Sequence, residues 1–127
     1  MEEQSKSYIN EAVERVWYLP SKGKNYYHRL DGPAVEYQDG TKCWYVDDKR
    51  HRSDGPAFEG IDGSKGWWVE GKRHRQDGPA VEHEDGTKHW FVDGKRLPTK
   101  EVEDWLEEND VDLKTESGQM AFKLRWS

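Results

Sequence analysis

The dipeptide His-Arg recurs three times at a spacing of 23 residues, beginning at His28, His51 and His74. Each copy continues with an Asp-Gly-Pro-Ala block, a glutamate, an Asp-Gly pair, the pattern Lys-x-Trp-x-Val and a basic dipeptide. In the first copy these are Asp31–Ala34, Glu36, Asp39-Gly40, Lys42–Val46 and Lys49-Arg50. Self-similarity at a fixed period of about 20–50 residues indicates a repeat architecture, in which each copy is one structural unit that packs against its neighbours.

Each unit is predicted to form a β-hairpin. Asp39-Gly40 lies between short runs of β-branched and aromatic residues, which is the strongest short-range hairpin signal. If Asp39 and Gly40 are the two turn residues, Val35 lies opposite Trp44. One face of the sheet then carries Val35, Trp44 and Val46, and the opposite face carries Ala34, Glu36 and Tyr45. The sequence therefore predicts an all-β fold with small α caps, an elongated antiparallel β-hairpin repeat array.

Both ends of such an array need covers, because the terminal units expose unpaired strand edges. Within a single domain, residues 1–25 are predicted to form an N-terminal cap, residues 26–98 the three repeats, and residues 99–127 a C-terminal cap. In the first cap, Tyr8, Ile9, Ala12 and Val13 are predicted to make one or two helical turns, and Arg15–Leu19 a degenerate half repeat. In the last, a helix is predicted from an N-cap Thr99, followed by a closing strand in which Met120, Phe122, Leu124 and Trp126 alternate.

The composition favours a folded chain with a thin core. Only 32% of the residues are hydrophobic and 36% are charged, but each aromatic side chain can bury about 150–250 Å², and 13% of the residues are aromatic. A net charge of −6 argues against binding to nucleic acid or to an anionic membrane, because both need a basic surface. Cys43 is the only cysteine, and no apolar run approaches the roughly 18 residues of a membrane span. We therefore expect a cytoplasmic protein.

The repeated histidines and acids suggest a metal or acid–base site, but the predicted geometry argues against it. Equivalent residues of successive hairpins lie two strands apart, about 9.6 Å, whereas zinc ligands lie about 2.0–2.1 Å from the metal. We expect structural roles for His28, His51 and His74. The sequence also lacks a Gly-rich phosphate loop, a nucleophile elbow and a paired Cys/His constellation. We therefore expect no enzymatic activity, no cofactor and no metal.

Two repeated sets of side chains are candidates for binding. Arg29, Arg52 and Arg75 are expected to pair with the glutamates or turn aspartates of their units, and the alternative is a row that binds phosphate. Tyr45, Trp68 and Phe91 are predicted to form an aromatic ladder on one sheet face. This ladder is covered by the ends of the chain or by a second protomer in a homodimer, or it is an exposed patch that binds a partner.

The 23-residue hairpin repeat resembles the MORN repeat family. Its His-Arg-x-Asp-Gly-Pro-Ala motif is similar to a MORN-like variant found in proteins of tailed phages and large DNA viruses. The resemblance covers about residues 26–97, with a weaker echo at 15–19. It implies a non-catalytic scaffold that binds a protein, plausibly a phage accessory protein that acts on a host protein in the host cytoplasm. The alternatives are a small-molecule or nucleotide binder that uses the ladder with Arg29, Arg52 and Arg75, and a structural virion component.

Overall fold

The computed structural model describes residues 3–12 and 14–127; Val13, which was predicted to belong to a helical turn, lies outside them. The described residues form mainly antiparallel strands with two short helices, which confirms the predicted all-β fold with small α caps. The strands are β1 (Lys6–Ile9), β2 (Arg15–Tyr18), β3 (Val35–Glu36), β4 (Lys42–Cys43), β5 (Tyr45–Val46), β6 (Lys49–Arg50), β7 (Phe58–Glu59), β8 (Lys65–Gly66), β9 (Trp68–Val69), β10 (Lys72–Arg73), β11 (Val81–Glu82), β12 (Lys88–Val92) and β13 (Lys95–Leu97). The helices are α1 (Thr99–Glu108) and α2 (Glu116–Trp126).

The sheet follows the repeats. Nine strands form one sheet in the order β1-β2-β3-β4-β7-β8-β11-β12-β13. The connectors between the first and second units and between the second and third units are two-stranded ribbons, β5 with β6 and β9 with β10. Backbone bonds join equivalent points of successive units: the amides of Trp17, Trp44 and Trp67 donate to the carbonyls of Ala34, Ala57 and Ala80 at 2.7–2.8 Å. Trp17 of β2 thus makes the same contact as the Trp of a full repeat.

The predicted hairpin register is wrong by one residue. Val35 pairs with Cys43, and Glu36 pairs with Lys42. The loop holds three residues rather than two: the Tyr37 amide donates to the Thr41 carbonyl, and Gly40 adopts the left-handed conformation at φ +99°. A three-residue loop that ends in a left-handed glycine is the next most common hairpin turn after the two-residue types. A one-residue slip exchanges the faces, so Trp44 shares a face with Glu36, and Val35 shares a face with Cys43 and Tyr45.

The two ends of the chain also differ from the prediction. Tyr8 and Ile9 lie in β1, which pairs with β2 and so covers the edge of the half repeat with a strand rather than with a helical turn. Helix α1 begins at Thr99 with Pro98 at the N-cap position, so Thr99 is not the capping residue. The closing strand predicted over Met120–Trp126 is helix α2, which is capped by the Thr115 side chain accepting from the Gly118 amide at 3.0 Å.

Two clusters of buried side chains make up the core. The first contains Val16, Val35 and Cys43, against which Tyr27 and Tyr45 pack. The second joins the last repeat to the helices and contains Trp90, Val92, Leu97, Val102 and Phe122. Between them the middle repeat contributes only Ala57, at 0% exposure, to the buried apolar residues. The fold is therefore most firmly packed at its two ends.

Candidate partner-binding surface

The repeated histidines hold the connectors in place. The Nδ1 atoms of His28, His51 and His74 accept hydrogen bonds from the backbone amides of Asp47, Glu70 and Asp93, at 2.9, 3.0 and 3.0 Å. Each histidine therefore fixes a backbone amide of the connector that follows in its own unit. Residues 3–12 and 14–127 contain no group of three or more His, Cys, Asp or Glu side chains that could hold a metal ion.

The arginines of the His-Arg dipeptides are paired, as the sequence predicted. Arg52 donates from Nε to Asp54 Oδ1 at 3.0 Å, and from Nη1 to the Pro56 carbonyl and to Glu59 Oε1 at 3.0 and 3.2 Å. Its guanidinium lies 4.0 Å from the centre of the Trp44 ring. Arg29 and Arg75 stack in the same way on Trp17 and Trp67, at 3.9 and 3.8 Å. The bond from Arg29 holds the pKa of Asp31 below its ordinary value.

Arginines lie between the three aromatic rings that the sequence analysis grouped as a ladder. Arg50 lies 5.9 Å from the ring centre of Tyr45 and 5.0 Å from that of Trp68. Arg73 lies 5.2 Å from Trp68 and 5.3 Å from Phe91. These positions follow from the connector ribbons, in which Tyr45 pairs with Arg50 and Trp68 pairs with Arg73. Phe91 is buried, whereas Tyr45 and Trp68 are only partly covered. We call this row of Tyr45, Arg50, Trp68, Arg73 and Phe91 the aromatic–arginine row.

The six side chains proposed from the sequence therefore do not form one site. Tyr45, Trp68 and Phe91 stack with Arg50 and Arg73, whereas Arg29, Arg52 and Arg75 stack on Trp17, Trp44 and Trp67. Arg50 and Arg73 are not among the residues selected from the sequence. A two-residue turn at Asp47-Asp48 places Arg50 opposite Tyr45, and the equivalent turn places Arg73 opposite Trp68.

A cavity of about 240 Å³ opens beside Trp68 in the middle repeat. Gly66 is buried beneath the Trp68 ring, and a Cβ at position 66 would overlap that ring. Glycine is therefore needed here for close approach, whereas the equivalent positions of the first and third repeats are Cys43 and His89. Phe58 and Val81 flank Gly66 in the register of the sheet and line the same cavity.

The cavity is basic, although the chain as a whole is acidic. Arg50, Lys65, Arg73 and His83 line it, and Glu82 is its one carboxylate. Glu82 already pairs with Arg75 at 3.0 Å. Among the residues that the structure describes, no carboxylate lies within 4.0 Å of the Arg50 or Arg73 guanidinium. Neither arginine therefore forms an ion pair within the described part of the chain, although Arg50 Nε donates a hydrogen bond to the Tyr45 hydroxyl at 3.2 Å.

A second group of basic side chains adjoins this cavity. The His83 and His89 rings meet edge to face with centres 5.4 Å apart, and Arg96 lies 3.0 Å from His89 Nδ1. Partial burial lowers the pKa of His89, and the neighbouring charges of Arg96, His83 and Arg73 lower it further. The basic surface therefore continues from the middle repeat into the third.

The grooves on the other side of the repeats differ in charge. Two of them, of about 570 and 600 Å³, lie between successive His-Arg turns, and a third, of about 410 Å³, lies between the first His-Arg turn and residues Glu3–Ser5. Trp44, Trp67 and Trp17 line them, each with its stacked arginine. Because those arginines are already bonded to aspartates and glutamates, these grooves carry less unsatisfied charge than the aromatic–arginine row.

Comparison with protein-family models, with curated protein sequences and with solved structures finds no match to this chain. In the described part of the chain, neither helix has the length and apolar character needed to cross a bilayer.

Proposed function

We propose that this chain is a non-catalytic β-repeat module that binds a protein partner through the aromatic–arginine row. The observation that carries the proposal is a pair of arginines, Arg50 and Arg73, that lie on either side of the partly exposed Trp68 and have no carboxylate within 4.0 Å among the described residues. Tryptophan and arginine are the residues most enriched at the energetic centres of protein interfaces. A guanidinium that stacks on an aromatic ring and has no carboxylate partner offers planar hydrogen bonding and apolar contact together.

The size and shape of the cavity favour a protein partner over a small molecule. Small-molecule sites usually enclose about 300–1,000 Å³ and bury most of the ligand. The cavity beside Trp68 is smaller, about 240 Å³, and open. Such a depression suits one inserted side chain of a partner whose remaining contacts lie along the row. A nucleotide that used Arg29, Arg52 and Arg75 would have to displace their aspartates and glutamates.

The resemblance to MORN-like phage and viral proteins supports a partner in a host cell. We place the interaction in the cytoplasm, where the single thiol of Cys43 stays reduced. On this proposal the module acts by occupying a surface of a host protein and so modulating or inhibiting it.

Site-specific crosslinking in the cells in which the protein naturally occurs tests the proposal. A photoreactive phenylalanine analogue replaces Tyr37, an exposed residue on the face that carries Cys43, and a second protein carries the analogue at Met120, exposed on α2. We expect a crosslinked partner from position 37 and none from position 120. The product from position 37 should disappear when Trp68→Ala or Gly66→Ala is added, the second because its methyl group displaces the Trp68 ring.

Circular dichroism of both variants must show a folded chain, so that loss of the product reports binding. A partner captured only from position 120, or from position 37 regardless of Trp68, would overturn the proposal. A product with the mass of two copies of this chain would also overturn it and would assign the surface to a homodimer.

A further inference from the structure

The basic side chains of the aromatic–arginine row recur with the period of the array. Arg50 and Arg73 occupy equivalent positions of successive connectors, and Arg96 occupies the same position in the third repeat, where it pairs with Phe91. Successive connectors are stacked: the Gly71 amide donates to the Arg50 carbonyl, and the Gly94 amide donates to the Arg73 carbonyl, both at 2.8 Å. One arginine is therefore presented per repeat along one line.

The spacing of this line restricts what can bind to it. Two strands per repeat place successive arginines about 9.6 Å apart. A polyproline-II segment rises about 3.1 Å per residue with three residues per turn, so residues i and i+3 share a side about 9.3 Å apart. The nearest same-side repeats of an α-helix, about 10.5 Å over seven residues, and of a β-strand, about 6.6–6.8 Å over two, match this distance less closely.

The charge of the line also restricts its occupant. One positive charge in about 9.6 Å is sparse beside a nucleic-acid strand, which carries a phosphate about every 3.4 Å along each strand of duplex DNA. A peptide with one carboxylate per turn matches the arginines one for one.

The cavity over Gly66 supplies the apolar part of the site. Phe58, Trp68 and Val81 line it, and it lies between Arg50 and Arg73. Grooves lined by aromatic rings are a common means of binding polyproline-II segments, because the peptide is already extended and loses little entropy on binding.

We infer that the aromatic–arginine row binds an extended, polyproline-II-like segment of the protein partner, with a carboxylate at every third residue and an apolar side chain seated against Trp68. This inference rests on the proposed function and names the chemistry of the partner. Arg50, Arg73 and Arg96 bind the carboxylates, and Trp68 with Gly66 beneath it holds the apolar group.

A synthetic peptide tests the inference without the natural partner. The probe is a capped nine-residue peptide of three Glu-Pro-Leu units, and its control has the same composition with the three glutamates adjacent. Titration is followed by calorimetry and by the indole NH signal of Trp68 in the NMR spectrum. We expect the spaced peptide to bind at least tenfold more tightly than the control, to shift the Trp68 signal, and to weaken severalfold between 50 and 300 mM salt as ionic screening increases.

Two charge variants identify the residues involved. Arg73→Gln should weaken the spaced peptide at least tenfold, whereas Arg125→Gln, an arginine on α2 that stacks on Trp126 at 4.1 Å, should leave its affinity unchanged. Should Arg73→Gln unfold the chain, Arg50→Gln makes the same test. Arg73→Glu should in turn favour a peptide whose middle glutamate is lysine.

Equal binding of the two peptides, or binding that is indifferent to Arg73 and Arg50, would overturn the inference. If inorganic phosphate shifts the Trp68 signal and the spaced peptide does not bind, the inference is also overturned and the site is assigned to a phosphate group. The proposed function is judged separately: if crosslinking from position 37 depends on Trp68 while the peptide fails to bind, the protein-binding surface stands and the acidic segment does not.

Discussion

Trp44 and Trp90 occupy the same position in the first and third repeats, yet different groups cover them. Arg52 covers the Trp44 ring and is itself held by Asp54, Glu59 and a backbone carbonyl. Trp90 is instead covered by Phe122 of α2, with ring centres 5.6 Å apart, and is only 5% exposed. The same ring is thus packed against a polar, local cluster inside the array and against an apolar core at its end.

The difference follows from two residues. Twenty-three residues after His74-Arg75 the chain reads Leu97-Pro98, so no arginine is available to stack on Trp90. Leu97 is buried at 4% exposure and joins the cluster around Trp90, and Pro98 is the N-cap of α1. In the array, each Trp ring is covered by an arginine from the next repeat, so the Trp of the last repeat needs another group to cover it. In this chain the substitute is a pair of helices, and it should carry more stability per residue than any repeat.

Phe122→Ala should lower the stability of the protein more than any other substitution proposed below. Phe122 is 1% exposed and contacts Trp90, so its truncation should lower the free energy of unfolding by about 3–5 kcal/mol. Urea titration gives the value. Leu124→Ala, on the same helix but 78% exposed, is the matched control and should change it by less than about 0.5 kcal/mol. Similar losses from both would mean that α2 contributes through its helicity and not through its contact with Trp90.

Arg52→Ala should cost less, about 1–2 kcal/mol, because it removes a ring stack and charge-assisted hydrogen bonds from a partly exposed cluster. Arg52→Lys is the informative companion, since lysine keeps the charge but lacks the planar fork that bonds Asp54 and the Pro56 carbonyl while it covers the ring. We expect lysine to recover less than half of the loss in thermal and urea unfolding. Full recovery would show that charge alone, and not the stacked geometry, protects Trp44.

The sequence predicted the repeat unit, the all-β class and the pairing of Arg29, Arg52 and Arg75, because each depends on contacts within about ten residues of chain. The hairpin register was wrong because Asp39-Gly40 suits both a two-residue turn and a three-residue loop ending in a left-handed glycine. The choice between them moves every side chain to the other face. The loop length therefore decides whether Trp44 or Cys43 packs beside Val35. The turn preferences of Asp39 and Gly40 do not determine the loop length.

The C-terminal helix was missed for a related reason. Met120, Phe122, Leu124 and Trp126 alternate, which favours a strand, but Gly118, Phe122 and Trp126 are also spaced by four, which suits a helix. Tertiary contact decides between the periods: Gly118 and Phe122 are buried, and a Cβ at 118 would overlap the Asp112 carbonyl. Of the aromatic–arginine row, the sequence selected Tyr45, Trp68 and Phe91, which depend on repeat equivalence alone, whereas selecting Arg50 and Arg73 requires the connector register.

Substitutions in the connector turns test whether the backbone conformation is the same inside the array and beside the C-terminal helices. Gly71 and Gly94 both adopt φ +82°, and a Cβ at either position would contact the Lys49 or Lys72 side chain in the same way. Alanine at either position should cost about 1–2 kcal/mol, because a Cβ disfavours the left-handed conformation. We expect equal losses at Gly71, inside the array, and Gly94, beside the C-terminal cap, in thermal unfolding. A loss at Gly94 more than twice that at Gly71 would show that the cap strains the last connector.

The smallest expected effect is a pH dependence confined to the repeat beside the cap. His89 stands where the other repeats have Cys43 and Gly66, and its pKa lies below the ordinary 6.5 because of partial burial and the charges of Arg96, His83 and Arg73. A lowered pKa means that the folded state binds this proton less readily than the unfolded chain does, so stability is fully present above pH 6.5 and declines as pH falls through the lowered pKa. The turn aspartates, whose pKa values lie below 3.8, act only in more acidic solution. Melting temperatures between pH 7.5 and 5 should therefore fall less for His89→Gln than for the unaltered chain, and a steeper fall for the variant would contradict the assignment.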